Sequence, residues 1–309
     1  MRLAIIPLLC LFLGACSSNP NRNYHAHRLS QKTFQTKVGP LAYRDEGEGS
    51  AIILLHGVPT SSWLYRKVIS GLSKNHRVIA VDLIGYGSSA KPQSSLTVYE
   101  PARQARRVRA LAQSLNLSNY SVVCHDMGGL VAWEMMHQDH TSIDNLIVLN
   151  TIVNKKGFYP PNLKVGLMTE TLAKVLTSKQ TNSAALAVTL KNLGLSEEHG
   201  LSEGECSGYV QPLREGSQKA LTQFYSSLNQ SLYNRLKQNA SLFRRYQGNT
   251  LILWGGKDKI LTSQQIPFLT DNLRVPEKNV HIYPQHDHFL AEENPDEFVH
   301  QVTSFLAHE

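Results

Sequence analysis

Apolar and polar positions along this chain follow two different periods, and their alternation predicts a mostly parallel sheet covered by helices. Short, mostly apolar runs read as strands, and the unbroken run at 51–55 as one buried on both faces. They fall at residues 51–55, 78–82, 120–124, 146–149, 250–254 and 280–283. Between them, apolar positions recur at three- to four-residue spacing, which places one helix face against a core. That spacing predicts helices over 63–72, 98–115 and 295–307. Residues 34–38 and 41–45, on either side of Gly39-Pro40, read as an opening hairpin. Strands alternating with helices define the α/β class.

The pattern changes between residues 152 and 240. No strand-like run occurs there, and helical spacing appears over 167–176, 184–193 and 221–236. Pro160-Pro161 opens the region, and Gly200, Gly204, Gly208 and Gly216 punctuate it. The expected organisation is a core of residues 31–151 and 241–309, with a helical cap, 152–240, inserted into it.

The beginning of the chain has its own character. Arg2 precedes an apolar run over 3–13, broken by Pro7 and too short to span a bilayer comfortably. Small residues follow, so residues 1–15 read as a signal peptide. Leu13-Gly14-Ala15-Cys16 resembles the lipobox of bacterial lipoproteins. That resemblance implies lipid on Cys16 and a membrane as partner through the anchor. With Ser17 next in the chain, it implies the outer membrane of the cell envelope, facing the periplasm. Plain secretion is the alternative. Residues 16–30 then read as a polar tether. Of the remaining cysteines, Cys124 reads as a small buried hydrophobe, and a Cys124–Cys206 disulfide stays open.

Thirty-one basic against 24 acidic residues leave a net charge of +7. The densest basic stretch, Arg103, Arg106, Arg107 and Arg109, sits at helical spacing and reads as a solvated face. A patch lying against anionic lipid is the other reading. With no aromatic interleaving, it does not suggest a nucleic-acid partner.

Candidate chemistry centres on Val122-Val123-Cys124-His125-Asp126-Met127-Gly128-Gly129. A β-branched strand runs into a small-residue turn and then a helical pattern, the form of a nucleophile elbow. Serine is usual there. Asp126 would instead attack an electrophilic carbon and leave an alkyl-aspartyl ester for water to cleave. Asp126 as a helix N-cap is the competing reading. A carboxylate nucleophile needs a base, an acid that orients it, and amide donors. His288, in the segment after the last strand, is the base candidate, with His286 as rival. Asp258, after Gly255-Gly256 beyond strand 250–254, is the orienting acid, though an Asp there also suits a turn. Backbone N–H groups of Val58 and Met127 would hold the oxyanion.

Four segments carry a family resemblance: His56-Gly57-Val58-Pro59-Thr60-Ser61-Ser62-Trp63, Asp82-Leu83-Ile84-Gly85-Tyr86-Gly87-Ser88, the elbow, and His288-Phe289-Leu290-Ala291-Glu292-Glu293-Asn294-Pro295. Together they resemble the epoxide hydrolase and haloalkane dehalogenase branch of the α/β-hydrolase superfamily. The likeness runs from about residue 34 to the end and is weak in the cap. It implies a helical cap over an α/β-hydrolase core, a small hydrophobic electrophile as substrate, and no metal or organic cofactor. It also favours His288 over His286. Some relatives carry the acid after the strand that ends here at Leu149, where this chain has the neutral Asn150.

Dehalogenases of this branch cradle halide with a tryptophan after the nucleophile and often an asparagine after His-Gly. Here those positions are Met127 and Val58, which offer no side-chain donor. Epoxide hydrolases protonate the leaving oxygen with cap tyrosines, for which Tyr209 and Tyr159 are the candidates. The expected function is therefore epoxide hydrolysis to a diol. Haloalkane dehalogenation is the alternative, and a non-catalytic lipoprotein on a hydrolase scaffold is an alternative of another class.

Overall fold

The structure is a computed structural model, and it describes residues 22–159, 201–228 and 230–307. Eight strands form one sheet: β1 (Lys32–Thr36), β2 (Gly39–Glu46), β3 (Ala51–Leu55), β4 (Arg77–Val81), β5 (Tyr120–Asp126), β6 (Ile143–Thr151), β7 (Asn249–Gly255) and β8 (Val280–Tyr283). Their order is β1-β2-β4-β3-β5-β6-β7-β8. β1 and β2 pair antiparallel, as does β2 with β4. All pairs from β4 to β8 are parallel.

The unbroken apolar runs have a direct structural cause. In β3, Ile53 and Leu55 face one apolar layer while Ile52 and Leu54 face the other. In β6, Leu146 and Val148 divide from Ile147 and Leu149 in the same way. Successive side chains point to opposite faces, so a strand covered on both sides must be apolar throughout. One layer is closed by α3 (Pro101–Ser114) and α4 (Met127–Asp139), through residues such as Val108, Leu111, Leu130 and Trp133. The other is closed by α2 (Arg66–Leu72) and α10 (Pro295–Ala307), through Val68, Ile69, Phe298 and Val302. Each such side chain contributes about 1.5–3 kcal/mol on burial.

Several boundaries differ from the sequence pattern. The helix expected over 98–115 begins only at Pro101, after a 3-10 turn at Leu96–Tyr99. Glu100 (φ −56°, ψ 141°) separates the two, because a residue before proline is pushed out of the helical region. The segment 63–72 likewise opens with a 3-10 turn, Ser62–Tyr65, before α2. In place of one helix over 221–236 there are two between β6 and β7, α6 (Gln218–Ser227) and α7 (Gln230–Arg245). Ahead of them lies α5 (Glu203–Arg214), opened by a Ser202/Glu205 capping box. A helix not foreseen, α8 (Ile266–Leu273), follows β7, and the short α9 (Leu290–Glu293) precedes α10. The expected helices over 167–176 and 184–193 lie outside the described residues.

So do the signal segment and Cys16, but the end of the expected tether does not. Residues 22–29 form α1 (Arg22–Leu29), with Tyr24 and His27 buried. Both rings meet Trp63 edge-on, at 5.5 and 5.2 Å. His27 Nε2 pairs with Ser62 Oγ at 3.0 Å, and Arg28 pairs with Glu215 at 2.7 Å. This stretch is part of the folded body rather than a polar spacer. No helix among the described residues is long and apolar enough to cross a membrane.

The arginines of α3 are only partly solvated. Arg107 donates to the Val98 carbonyl at 2.6 Å and Arg109 pairs with Asp139 at 3.1 Å, whereas Arg103 and Arg106 are exposed. Cys124 and Cys206 are both buried, and no disulfide joins them.

Candidate active site

Because β3 to β8 run parallel, their carboxyl ends lie along one edge of the sheet, where open α/β sheets place ligands. The turns at that edge carry Asp126, Asp258, His288 and the Val58 and Met127 amides. Asp126 ends β5 with φ 51° and ψ −120°, a backbone region that side chains other than glycine rarely adopt. Such a conformation costs about 1–3 kcal/mol and persists only where the surroundings impose it. Thr151 Oγ1 donates to the Asp126 carbonyl at 2.6 Å and holds the turn from β6. Glycine is required on both flanks. A Cβ on Gly57 would strike the Asp126 side chain, and one on Gly128 would strike the Leu55 carbonyl.

The strained turn aims the carboxylate away from its own helix. Asp126 makes no side-chain cap to α4, so it is not serving as an N-cap. The Val58 amide instead donates to Asp126 Oδ1 at 2.8 Å, and the Met127 amide also faces the carboxylate. Oδ1 therefore occupies the amide cradle, leaving Oδ2 as the oxygen turned towards His288. Asp126 is only 6% exposed. Burial raises its pKa, outweighing the His288 charge and the Val58 and Met127 amides.

His288 Nδ1 meets Asp258 Oδ2 at 2.7 Å, while Nε2 stands 3.8 Å from Asp126 Oδ2. The second distance is too long for a hydrogen bond and leaves Nε2 free to act on a water. Burial opposes a charge on this imidazole, but the charge and hydrogen bond of Asp258, with Asp126 and Asp287 beyond, raise its pKa to about 9. Asp258 shifts the other way. Burial would raise it, but His288 and the Leu261 and Ile260 amides hold it below the ordinary carboxylate range. Those amides donate to Asp258 Oδ1 at 2.9 and 2.8 Å.

His125 supports the base from beneath. Its Nε2 pairs with the His288 carbonyl at 2.8 Å, and the two rings lie 4.5 Å apart. A carbonyl only accepts, so Nε2 carries the proton. Burial and the neighbouring His288 push the His125 pKa far down and keep the ring neutral. His286, the rival base, turns elsewhere: its Nδ1 lies 3.5 Å from Glu293 and its Nε2 3.2 Å from Asn294.

A model of the alpha/beta hydrolase fold family matches residues 50–295. The chain belongs to that family. A cis-3-alkyl-4-alkyloxetan-2-one decarboxylase of Shewanella oneidensis is 26% identical over 278 residues, spanning 86% of this chain and 85% of its own. Haloalkane dehalogenase 2 of Mycobacterium tuberculosis is 27% identical over 279 residues, spanning 87% and 92%. Among solved structures, the epoxide hydrolase CorEH matches with a TM-score of 0.70 at 23% identity, covering 90% of this chain and 98% of its own. The chain is thus a member of the α/β-hydrolase fold family with haloalkane dehalogenase relatives, and an epoxide hydrolase shares its fold.

Within this α/β hydrolase, Asn150 has a defined place. It sits at the end of β6, where some relatives keep their acid. Its Nδ2 donates to Asp258 Oδ2 at 2.8 Å and to the Gly255 carbonyl at 3.0 Å, while its Oδ1 accepts from the Gly255 amide at 2.8 Å. One side chain thereby ties β6 to the acid loop. Asn150→Ala leaves three buried polar groups short of a partner, at about 1–3 kcal/mol for each unsatisfied group. A drop of several degrees in the calorimetric Tm is expected, and an unchanged Tm would refute this account of Asn150.

The cap tyrosines chosen from sequence are not aimed at Asp126. The Tyr209 hydroxyl, on α5, donates to Glu292 Oε2 at 2.6 Å. Tyr159 is 53% exposed, and its hydroxyl reaches Gln264 at 3.4 Å. Three other tyrosines feel the Asp126 charge: Tyr65, whose hydroxyl donates to the Leu55 carbonyl at 2.9 Å, Tyr86 and Tyr225. Tyr225, on α6, is buried, and its phenol is raised by that burial and by the Asp126 charge. Tyr86 is raised by burial, then by Tyr225 and Asp126. Its hydroxyl lies 4.0 Å from Met127 Sδ. Sequence reasoning missed Tyr225 because Leu221, Phe224 and Tyr225 read alike as the apolar face of a helix.

The chain's three tryptophans are fully committed. Trp63 Nε1 donates to the Glu205 carbonyl at 3.0 Å, Trp133 to Ile152 at 3.0 Å and Trp254 to Leu261 at 2.9 Å.

Proposed function

We propose that this hydrolase opens epoxides to diols through an ester on Asp126. The observation that carries the reading is the commitment of every indole N–H to a backbone carbonyl, beside a nucleophile followed by Met127 rather than a donor. A departing halide stripped of water needs such donors, and leaving it unpaired costs several kcal/mol or more. An epoxide oxygen stays attached to the product and needs only a proton. Tyr225 replaces Tyr209 as the group that supplies it, since its phenol is the insertion hydroxyl that feels Asp126.

In the proposed cycle Asp126 Oδ2 attacks an epoxide carbon, the C–O bond breaks, and the alkoxide takes the Tyr225 proton. His288, oriented by Asp258, removes a proton from water as that water adds to the Asp126 carbonyl carbon. Oδ1 carries the resulting negative charge, already facing the Val58 and Met127 amides. Collapse breaks the acyl C–O bond, the departing diol oxygen takes the proton held by His288, and the remaining water proton returns to the Tyr225 phenolate, which restores the carboxylate and the phenol.

A panel of epoxides, haloalkanes and a cis-3-alkyl-4-alkyloxetan-2-one tests the reading. Diol from an epoxide is expected. Halide release with no diol would assign dehalogenation, and carbon dioxide from the oxetanone alone would assign the chemistry named in the Shewanella relative. Tyr225→Phe is expected to slow ester formation about 10²-fold, the lower range for a lost general acid. An unchanged single-turnover rate of ester formation would remove Tyr225 from that role.

A further inference from the structure

Glu292 lies outside the catalytic set and is deeply enclosed, with its side chain 1% exposed. An isolated carboxylate at that depth costs several kcal/mol, so its partners explain why it is there. Arg66 grips it with both guanidinium nitrogens, Nη2 at 2.6 Å and Nη1 at closer range. Lys67 Nζ lies 2.6 Å away, and the Tyr209 hydroxyl donates at 2.6 Å. Burial and the Glu292 charge push the Tyr209 phenol far up, so it remains a donor.

Those partners lead to the insertion. Arg66 and Lys67 also bind Glu205, at 2.8 and 3.0 Å. Glu205 and Tyr209 are one turn apart on α5 and share a face. The Arg66 guanidinium stacks over the Trp63 ring at 4.5 Å, and that indole donates to the Glu205 carbonyl. Helix α5 is thus held at a carboxylate by the start of α2, at a carbonyl by Trp63 of the preceding 3-10 turn, and at a phenol by α9.

In the other direction Glu292 leads to the base. It follows His288 by four residues, and the Glu292 and Glu293 amides donate to the Phe289 carbonyl at 2.8 and 3.0 Å. Glu293 accepts from the Asp287 amide at 2.9 Å, closing the loop around His288. Phe289, Leu290 and Ala291 between them are buried.

We infer that Tyr209 and Glu292 are positioning residues that set His288 from the insertion, joining α5 to the base loop. The insertion therefore governs the ester-hydrolysis step as well as shaping the substrate site. Neither side chain touches the reacting atoms, and the inference rests on the ester mechanism proposed above.

Single-turnover kinetics with the panel epoxide that the wild-type enzyme turns over fastest tests it, following ester and diol by intact-protein mass and product analysis. Tyr209→Phe keeps the ring and its packing while removing the hydroxyl. It is expected to leave ester formation within about twofold and to slow ester hydrolysis about tenfold, so that the adduct accumulates, short of the ~10²-fold loss that a full ångström of misplacement brings. Glu292→Gln is expected to act in the same direction and more strongly. Slowed ester formation in Tyr209→Phe would make Tyr209 the proton donor, and equal rates for both steps in both variants would leave the network merely structural. Either result overturns the inference. A His288→Gln control that traps no adduct would instead sink the ester mechanism, and this inference with it.

Discussion

Asp126→Asn abolishes turnover, a loss of about four orders of magnitude or more, the scale on which removing a covalent nucleophile acts. Asparagine has nearly the shape of aspartate and keeps an oxygen for the Val58 amide, which donates at 2.8 Å in the native site. What disappears is the anionic Oδ2 that attacks carbon. Folding should not suffer. Burial already disfavours the Asp126 charge, so a neutral side chain removes a cost at this position. The measurement is steady-state diol formation, with calorimetry on the same preparation. Activity above about 1% of wild type in a folded variant would exclude nucleophilic attack by Asp126, given the losses known for such residues. It would return the elbow to a non-catalytic role.

The second large effect is qualitative. His288→Gln should form the ester at a near-normal rate and then stall, since general-base assistance is worth about 10²–10⁴. Intact-protein mass spectrometry should then show one adduct per enzyme. A gain equal to the whole epoxide supports ring opening, and a gain of an alkyl group with free halide would establish dehalogenation. An unmodified mass across the panel would point to a scaffold without this chemistry.

In the proposed cycle, charge would make His288 wait for the ester. In the resting site Asp258 and Asp126 hold its proton up to about pH 9 despite burial. Ester formation neutralises Asp126, one of the two nearest anions, and the imidazole moves back towards a base. The same shift has a stability consequence. The folded value lies above the ordinary 6.5, so the contribution of His288 is complete below about pH 6.5 and is lost as pH rises through about 9. Melting curves across that window should fall less steeply for His288→Gln than for wild type.

Much of the site was legible before any coordinates. Asp126, Asp258 and His288 each follow a strand-like run through a short turn, and parallel strands carry such turns to one edge. Val58 and Met127 were legible for the same reason, since each lies one residue beyond a readable element. The helix boundary at Pro101 was not, because the apolar spacing continues across it and only the local conformation of Glu100 interrupts it. The foldedness of α1 was hidden too. Its sequence is polar on average, and Tyr24 and His27 become buried only because Trp63 presents a ring to them.

By itself, the sequence determined the α/β class, the strand sequence and the triad candidates. These depend on side-chain period and on small residues at turns, which act over a few residues of chain. Long-range packing set which tyrosine of the insertion feels the Asp126 charge, what Asn150 holds, and where each indole N–H is bound. Tyr225 and Asp126 are about a hundred positions apart, and Tyr209 and Tyr225 are indistinguishable as apolar members of two helices. Their opposite destinations follow from packing: α5 turns Tyr209 onto Glu292, while Tyr225 on α6 is buried within range of the Asp126 charge. Long-range packing of that kind leaves no periodic trace in the chain, because the partner that selects each hydroxyl lies on another element.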